Sequence, residues 1–297
     1  MSTSPHATAI RRDAEALAER FPALLIEAER IAQTVIAGLH GRRRAGPGET
    51  FWQHRAYSFG DAVASIDWRQ SARSANRLYV RENEWEAAAT VFIWRDPSAS
   101  LDFASSPTIP DKRHRAEVLA VALAILLSQA GERVGLLGQA RTPFFGRAAP
   151  SRLLEALLTS EGDAATPPPA EIRPGARVVL FSDFFTDPEP LSERVAAFAS
   201  AGASGALVQV CDPAEEDFPY SGPVEFEDVV SADRLTFGDA GALTSAYQSE
   251  FARHRDMLTT LAQSVGWTFL SHRADHPGQH ALLALYAALA DARDGAS

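Results

Sequence analysis

The chain has a single lysine, Lys112, a single cysteine, Cys211, and two methionines among its 297 residues. One cysteine excludes a disulfide framework and any cysteine-based zinc cluster, and it agrees with a reducing, cytosolic setting. With lysine nearly absent, arginine carries the positive charge, a compositional bias that is not read as function. The net charge of −10 argues against a broad nucleic-acid surface, because neutralising phosphates needs clustered cations. The one basic patch, GRRRAG at residues 41–46, reads as a solvated loop rather than as an RNA or acidic-partner site. Long apolar runs are missing too. AEVLAVALAILLSQAG, residues 116–131, falls short of the ~20 residues of a membrane span and reads as a buried helix. The N-terminal MSTSPHATAIRRDAEALAERF lacks the apolar stretch and cleavage site of a secretory signal. No P-loop, Gly-x-Ser-x-Gly elbow or Gly-x-Gly-x-x-Gly fingerprint occurs. The expectation is a cytoplasmic protein without a membrane span or nucleic-acid partner.

What is present is 46% hydrophobic residues, ample for a buried core. Residues 13–39 place Leu17, Phe21, Leu24, Ala28, Ile31 and Val35 at three- and four-residue spacings, an amphipathic helix that Pro22 kinks or breaks in two. From residue 87 strands and helices alternate. AAATVFIW, RVGLLG, RTPFF, RVVLFSD, GALVQVCD and GWTFLSH read as strands, with helices over 112–130, 151–158, 191–201, 243–265 and 280–292. That order predicts an α/β fold: a mostly parallel sheet with helices on both faces. PVEFEDV and RLTFGD read as a small hairpin or an edge extension. The chain divides into an N-terminal helical segment (1–40), an arginine- and aspartate-rich segment (41–86) and the α/β domain (87–297).

In open parallel sheets ligands gather at the carboxyl ends of the strands. VFIW runs into Arg95 and Asp96, and VVLFS runs into Asp183. Asp96, Ser98 and Ser100 offer one carboxylate and two hydroxyls from a loop past a buried strand, and Asp183 offers a second carboxylate. An all-oxygen set of this kind suits Mg²⁺ or Mn²⁺. The competing reading is that these side chains satisfy backbone groups of the turn. The pattern resembles the metal-ion-dependent adhesion site of von Willebrand factor A domains, in which Asp-x-Ser-x-Ser follows the first strand and a later strand ends in aspartate. The resemblance implies a threonine ligand from an intervening loop. Here GRAAPSRLLEALL has none, Ser151 is its nearest hydroxyl, and Thr142 lies farther upstream. Arg95 would compete with a divalent ion if its charge faced the site.

The segment RAYSFGDAVASIDWRQSARSANRLYVRENEWE combines Asp61 and Asp67 with Arg55, Arg69, Arg73 and Arg81. The expectation is a structural ion-pair cluster, covered by Tyr57 and Trp68, that locks the segment in place. R-x-Y-x-x-G-D, I-D-W-R, A-R and L-Y-V-R, in that order, resemble the signature of domain of unknown function 58. These are bacterial proteins with a von Willebrand A-like, Rossmann-like core, often encoded beside MoxR-type AAA ATPases. CDPAEEDFPYSGPVEFED extends the resemblance, from about residue 40 to about residue 290. It implies a non-enzymatic interaction or adaptor module with a MoxR-type AAA ATPase as partner, working in protein maturation or assembly. The rivals are a metal-free scaffold of the same fold and a metal-dependent phosphoester hydrolase. Ser98 stands where haloacid dehalogenase-type phosphotransferases carry a second aspartate, which weakens the hydrolase. In SHRADHPGQH, His272, Asp275, His276 and His280 suggest zinc, but Pro277 and Gly278 interrupt the helix, so ordinary helix-start histidines are the preferred reading.

Overall fold

A computed structural model describes residues 5–40, 51–58, 66–74, 77–83, 88–139, 142–160, 162–227 and 234–294. The GRRRAG stretch lies outside the described residues. The chain forms two compact units, Leu39–Ala88 and the remainder.

Helix α1 (Pro5–His40) runs unbroken through Pro22, so the expected two-helix alternative is not adopted. Buried Leu24, Ala28, Ile31, Ala32 and Val35 recur at helical spacing, which gives the helix one apolar face to cover. In the smaller unit, β1 (Phe51–Ala56) and β2 (Tyr79–Asn83) pair antiparallel, and the short α2 (Trp68–Ser71) lies between them in sequence.

The larger unit continues with β3 (Thr90–Arg95), α3 (Lys112–Gln129), β4 (Arg133–Leu136), α4 (Ala149–Leu158), β5 (Arg177–Ser182), α5 (Pro188–Ser200) and β6 (Ser204–Cys211). Then come α6 (Pro213–Asp217), β7 (Val224–Glu227), β8 (Arg234–Phe237), α7 (Thr244–Ser264), β9 (Thr268–Arg273) and α8 (Gly278–Asp294). Five strands form one sheet in the order β4-β3-β5-β6-β9, every pairing parallel. The expected parallel sheet is therefore observed. Among the described residues the expected strand at 141–145 is represented by one bridge between Phe144 and Val134, and β7 and β8 pair antiparallel with each other in a separate two-stranded sheet.

Helix α3 is buried along almost its whole length because it packs on the sheet and against α4 and α8. Its apolar run is the signature of a helix covered on every side. A second apolar cluster joins Trp94, Val178, Leu180 and Leu207 of the sheet to Leu191, Val195 and Phe198 of α5 and Leu258 of α7. Ala170 and Ile172, from the proline-rich connection, pack against the same cluster. Gly138, just past β4, has φ +81, and a Cβ there would lie 2.4 Å from the Pro168 ring. Glycine is needed there for both conformation and space.

Charged groups tie α1 to α3. Arg20 reaches Glu117 at 2.9 Å, and Glu27 lies 2.9 Å from His114 Nε2 and 3.4 Å from Arg115. The His114 hydrogen bond, with smaller help from Arg115 and Arg30, holds the Glu27 carboxyl below the usual glutamate range. A carboxyl with a depressed folded-state pKa stabilises the fold above its unfolded value, and that contribution is lost as pH falls through the folded value. Glu27→Gln should therefore melt below wild type at neutral pH, and the gap should close below about pH 4. Thermal unfolding followed across that range checks it.

Candidate functional site

The sheet order makes β3 and β5 the pair at which the winding reverses, since the chain leaves β3 towards β4 and returns to the other side of β3 as β5. The carboxyl ends of these two strands flank the crevice where open α/β sheets hold ligands. Asp96 and Asp183 both stand there, each almost wholly buried.

Strand register decides what each aspartate meets. Arg95 is paired with Phe181, so one step further on Asp96 lies beside Ser182, not Asp183. Ser182 Oγ donates to Asp96 Oδ2 at 2.6 Å, and the Ser98 amide donates to Asp96 Oδ1 at 2.8 Å. Asp183 has the opposite parity along β5, and successive strand side chains face opposite sides of the sheet. It turns to α3, where Lys112 Nζ donates to its Oδ2 at 2.7 Å, while the Phe185 amide donates to Oδ1 at 3.1 Å. The two carboxylates thus share no partner, and each caps the turn that follows its own strand. Between them Phe184 adopts φ 58, a left-handed conformation uncommon for a bulky residue. Its amide donates to Ser182 Oγ at 2.8 Å and its ring is buried.

Lys112 is the first residue of α3, after the Asp111 cap. A cation is disfavoured at a helix N-terminus by the macrodipole, so its placement there needs another cause. Two carboxylates supply it. Besides Asp183, Lys112 Nζ pairs with Glu215 Oε1, and the Phe103 and Phe185 rings lie 5.7 and 5.6 Å from the ammonium. Burial opposes the lysine's charge, but Asp183 and Glu215 outweigh it and hold its pKa above the usual value. Burial pushes the Glu215 carboxyl up, against the pull of Lys112.

The end of β6 joins the cluster. Asp212 and Glu215 form a capping box at α6, Glu215 Oε2 accepting from the Asp212 amide at 2.8 Å. Asp212 also accepts from the Ser105 amide at 2.9 Å, which ties the loop after β3 to β6. Gln209 donates to the Asp183 carbonyl at 3.1 Å and accepts from Arg255 at 3.2 Å.

The remaining expected ligands fall elsewhere. Ser98 and Ser100 hydrogen-bond each other at 2.9 Å, and Arg113 fastens their loop through the Pro97 and Ser98 carbonyls. Ser151 lies in the first turn of α4 and makes no hydrogen bond to this cluster. Arg95 is engaged elsewhere than at Asp183, donating to the Leu157 carbonyl at 3.0 Å and the Asp96 carbonyl at 3.1 Å and facing Glu117 at 3.5 Å.

The donor set does not fit a divalent ion as arranged. Both oxygens of Asp96 and both of Asp183 accept hydrogen bonds, and a cation is already paired with Asp183. Among the described residues no group of three or more His, Cys, Asp or Glu is placed to hold a metal. That includes the disfavoured zinc set. His272 is buried, and its pKa is lowered to about 4 by that burial and by Arg115. Asp275 is bonded by Arg273, and His276 and His280 are exposed. Cys211 is buried too, and burial pushes its thiol up, away from the reactive thiolate.

Of the arginine–aspartate segment, Asp61 and the side chains of Arg55 and Arg81 lie outside the described residues. Asp67 is the N-cap of α2, accepting from the Gln70 amide at 2.9 Å, and Arg69 and Arg73 are exposed.

Sequence reasoning did not place Lys112, Ser182, Gln209 or Glu215 at this site. The D-x-x-E of DPAE was a legible capping box, and GALVQVCD was a third strand ending in aspartate. The only lysine was visible as a rarity, but nothing in its spacing linked it to Asp183.

Fold and site together define an open, doubly wound α/β protein with a buried, internally hydrogen-bonded polar cluster at its switch point. The chain belongs to the family described as protein of unknown function DUF58, whose pattern matches residues 53–257. Uncharacterised proteins of Mycobacterium tuberculosis and Mycobacterium bovis are 29% identical over 258 residues, covering 81% of this chain and 80% of theirs. Among solved structures, conserved hypothetical protein BatB from Bacteroides thetaiotaomicron has a TM-score of 0.40 at 15% identity. An aerotolerance-related membrane protein from Bacteroides fragilis has 0.42 at 16%. Each covers 69% of this chain and is itself covered over 100% of its length. A membrane spanning protein from Vibrio fischeri has a TM-score of 0.18. Likenesses this distant carry no argument about activity. The cytoplasmic placement expected from the sequence is corrected, because two of these neighbours are described as membrane proteins and it is not retained. Among the described residues no helix is long and apolar enough to cross a membrane.

Proposed function

We propose that the chain is a protein-interaction module of the von Willebrand A type, acting without catalysis of its own as the partner of a MoxR-type AAA ATPase in protein maturation or assembly. The observation that carries this reading is the state of the strand-end cluster. Its carboxylates and hydroxyls are hydrogen-bonded to one another, to turn amides and to Lys112, an arrangement that makes a rigid platform and leaves the buried aspartates no open approach for a substrate. Phe185, 41% exposed, stands at the rim of that platform, backed by Phe251 and His254 at ring distances of 6.0 and 5.4 Å. An exposed aromatic on a rigid base is the type of side chain that dominates binding at protein interfaces. The module therefore engages its partner through a surface built around Phe185, with the aspartates shaping the loops beneath.

Phe185→Ala is expected to weaken binding of the purified ATPase about tenfold, a loss of about 1.4 kcal/mol, with a small fall in melting temperature from the lost ring contacts with Lys112, Phe251 and His254. Surface plasmon resonance of the two purified proteins, with EDTA present, measures it. Unchanged affinity would remove this face from the interface, and turnover of phosphoesters lost in Asp96→Ala would favour the hydrolase.

A further inference from the structure

We infer that Lys112 is the resident cation of the strand-end site, an ammonium built into the chain that pairs with Asp183 and Glu215 where the oxygen-rich pattern would otherwise invite a divalent metal ion. Three observations converge on it. The lysine is 1% exposed and is the chain's only one. It sits at a helix N-terminus, where the backbone disfavours a cation, yet it is matched by two carboxylates from separate elements, the end of β5 and α6. The remaining carboxylate oxygens are each engaged locally, Asp96 by Ser98 and Ser182 and Asp183 by Phe185, so a metal entering would have to compete with these hydrogen bonds and meet a fixed positive charge.

The arrangement has a structural consequence. A metal bound from solution comes and goes with its concentration, whereas a tethered ammonium is always present. Through Glu215 it fastens α6 to the sheet edge, and Tyr247 of α7 adds a hydrogen bond to the Glu215 carbonyl at 2.7 Å. The strand-end loops, α3, α6 and α7 are thereby joined around one charge. The site is set for recognition without metal, whichever protein is the partner.

Thermal unfolding of the full chain tests this independently of any partner. The wild type should melt at the same temperature, within about 1 °C, in EDTA and in millimolar MgCl₂ or MnCl₂, because a ligand that binds the native state must stabilise it. Lys112→Met should melt about 6 °C or more lower. Lys112→Met/Asp183→Asn/Glu215→Gln, in which the two carboxylates paired with Lys112 lose their charge together with it, should regain most of that loss. A metal-induced rise in wild type that disappears in Asp183→Asn would overturn the inference, as would Lys112→Met melting like wild type. If Lys112→Met does not fold, a folded triple variant supports the inference and an unfolded one contradicts it.

Discussion

Lys112→Met is expected to lower the stability of the folded chain by about 3–5 kcal/mol, because it strips the cation from a buried pair and leaves charged oxygens without compensation. Methionine preserves most of the volume, so the loss reports charge rather than a cavity. Asp183 is itself buried, and Glu215 is tied by its other oxygen to the Asp212 amide, so neither carboxylate can swing out to water without undoing a turn. The chain has ways to reduce the cost, chiefly by protonating Glu215, whose pKa burial already raises. The variant should therefore lose least at acidic pH and most above neutrality. Urea denaturation reads the effect as a lower midpoint at an unchanged slope. Lys112→Arg should recover only part of the loss, since a planar guanidinium does not take the place of a compact ammonium between two carboxylates and two aromatic rings.

Gly205→Ala is the other large effect, expected at about 3 kcal/mol or more, from overpacking that the surroundings cannot relieve. A Cβ at position 205 would lie 2.2 Å from the Val178 carbonyl oxygen of β5 and 3.0 Å from the Trp267 ring. The first is main chain of a neighbouring central strand, so the clash is resolved only by moving β6 against β5. Trp267 is also fixed, its indole donating to the Ala203 carbonyl at 3.0 Å. A shift of β6 would carry Gln209 away from the Asp183 carbonyl, so the damage should reach the strand-end cluster. Loss of amide protection at Phe184 and Phe185 by hydrogen exchange, beyond that at the far edge of the sheet, is the expected signature.

The contrast between these two positions shows what the chain made legible. Period-two and period-three-to-four patterns are local, so the strands leading to Asp96, Asp183 and Asp212 and the buried helix of residues 116–131 could be read from neighbouring residues alone. The aspartates at the strand ends were found for the same reason. Which groups those aspartates bind was not local. It depends on Arg95 standing beside Phe181, which puts Ser182 next to Asp96 and turns Asp183 to the other face. It also depends on Lys112, which lies 71 residues from Asp183 in the chain and is brought to it by the packing of α3. A short motif such as Asp-x-Ser-x-Ser names acceptors without saying which donors will reach them. The continuous α1 is a second case, since Pro22 allowed a break into two helices on local grounds and the helix runs through it.

The most direct measurement is a double-mutant cycle between Lys112→Met and Asp183→Asn, carried out by urea denaturation in EDTA. If the ammonium pairs with Asp183 in place of a metal, the two substitutions should be coupled by about 2 kcal/mol or more, the double variant being far less damaged than the sum of the singles. Additivity to within about 0.5 kcal/mol, or a coupling that appears only when Mg²⁺ or Mn²⁺ is supplied, would contradict it.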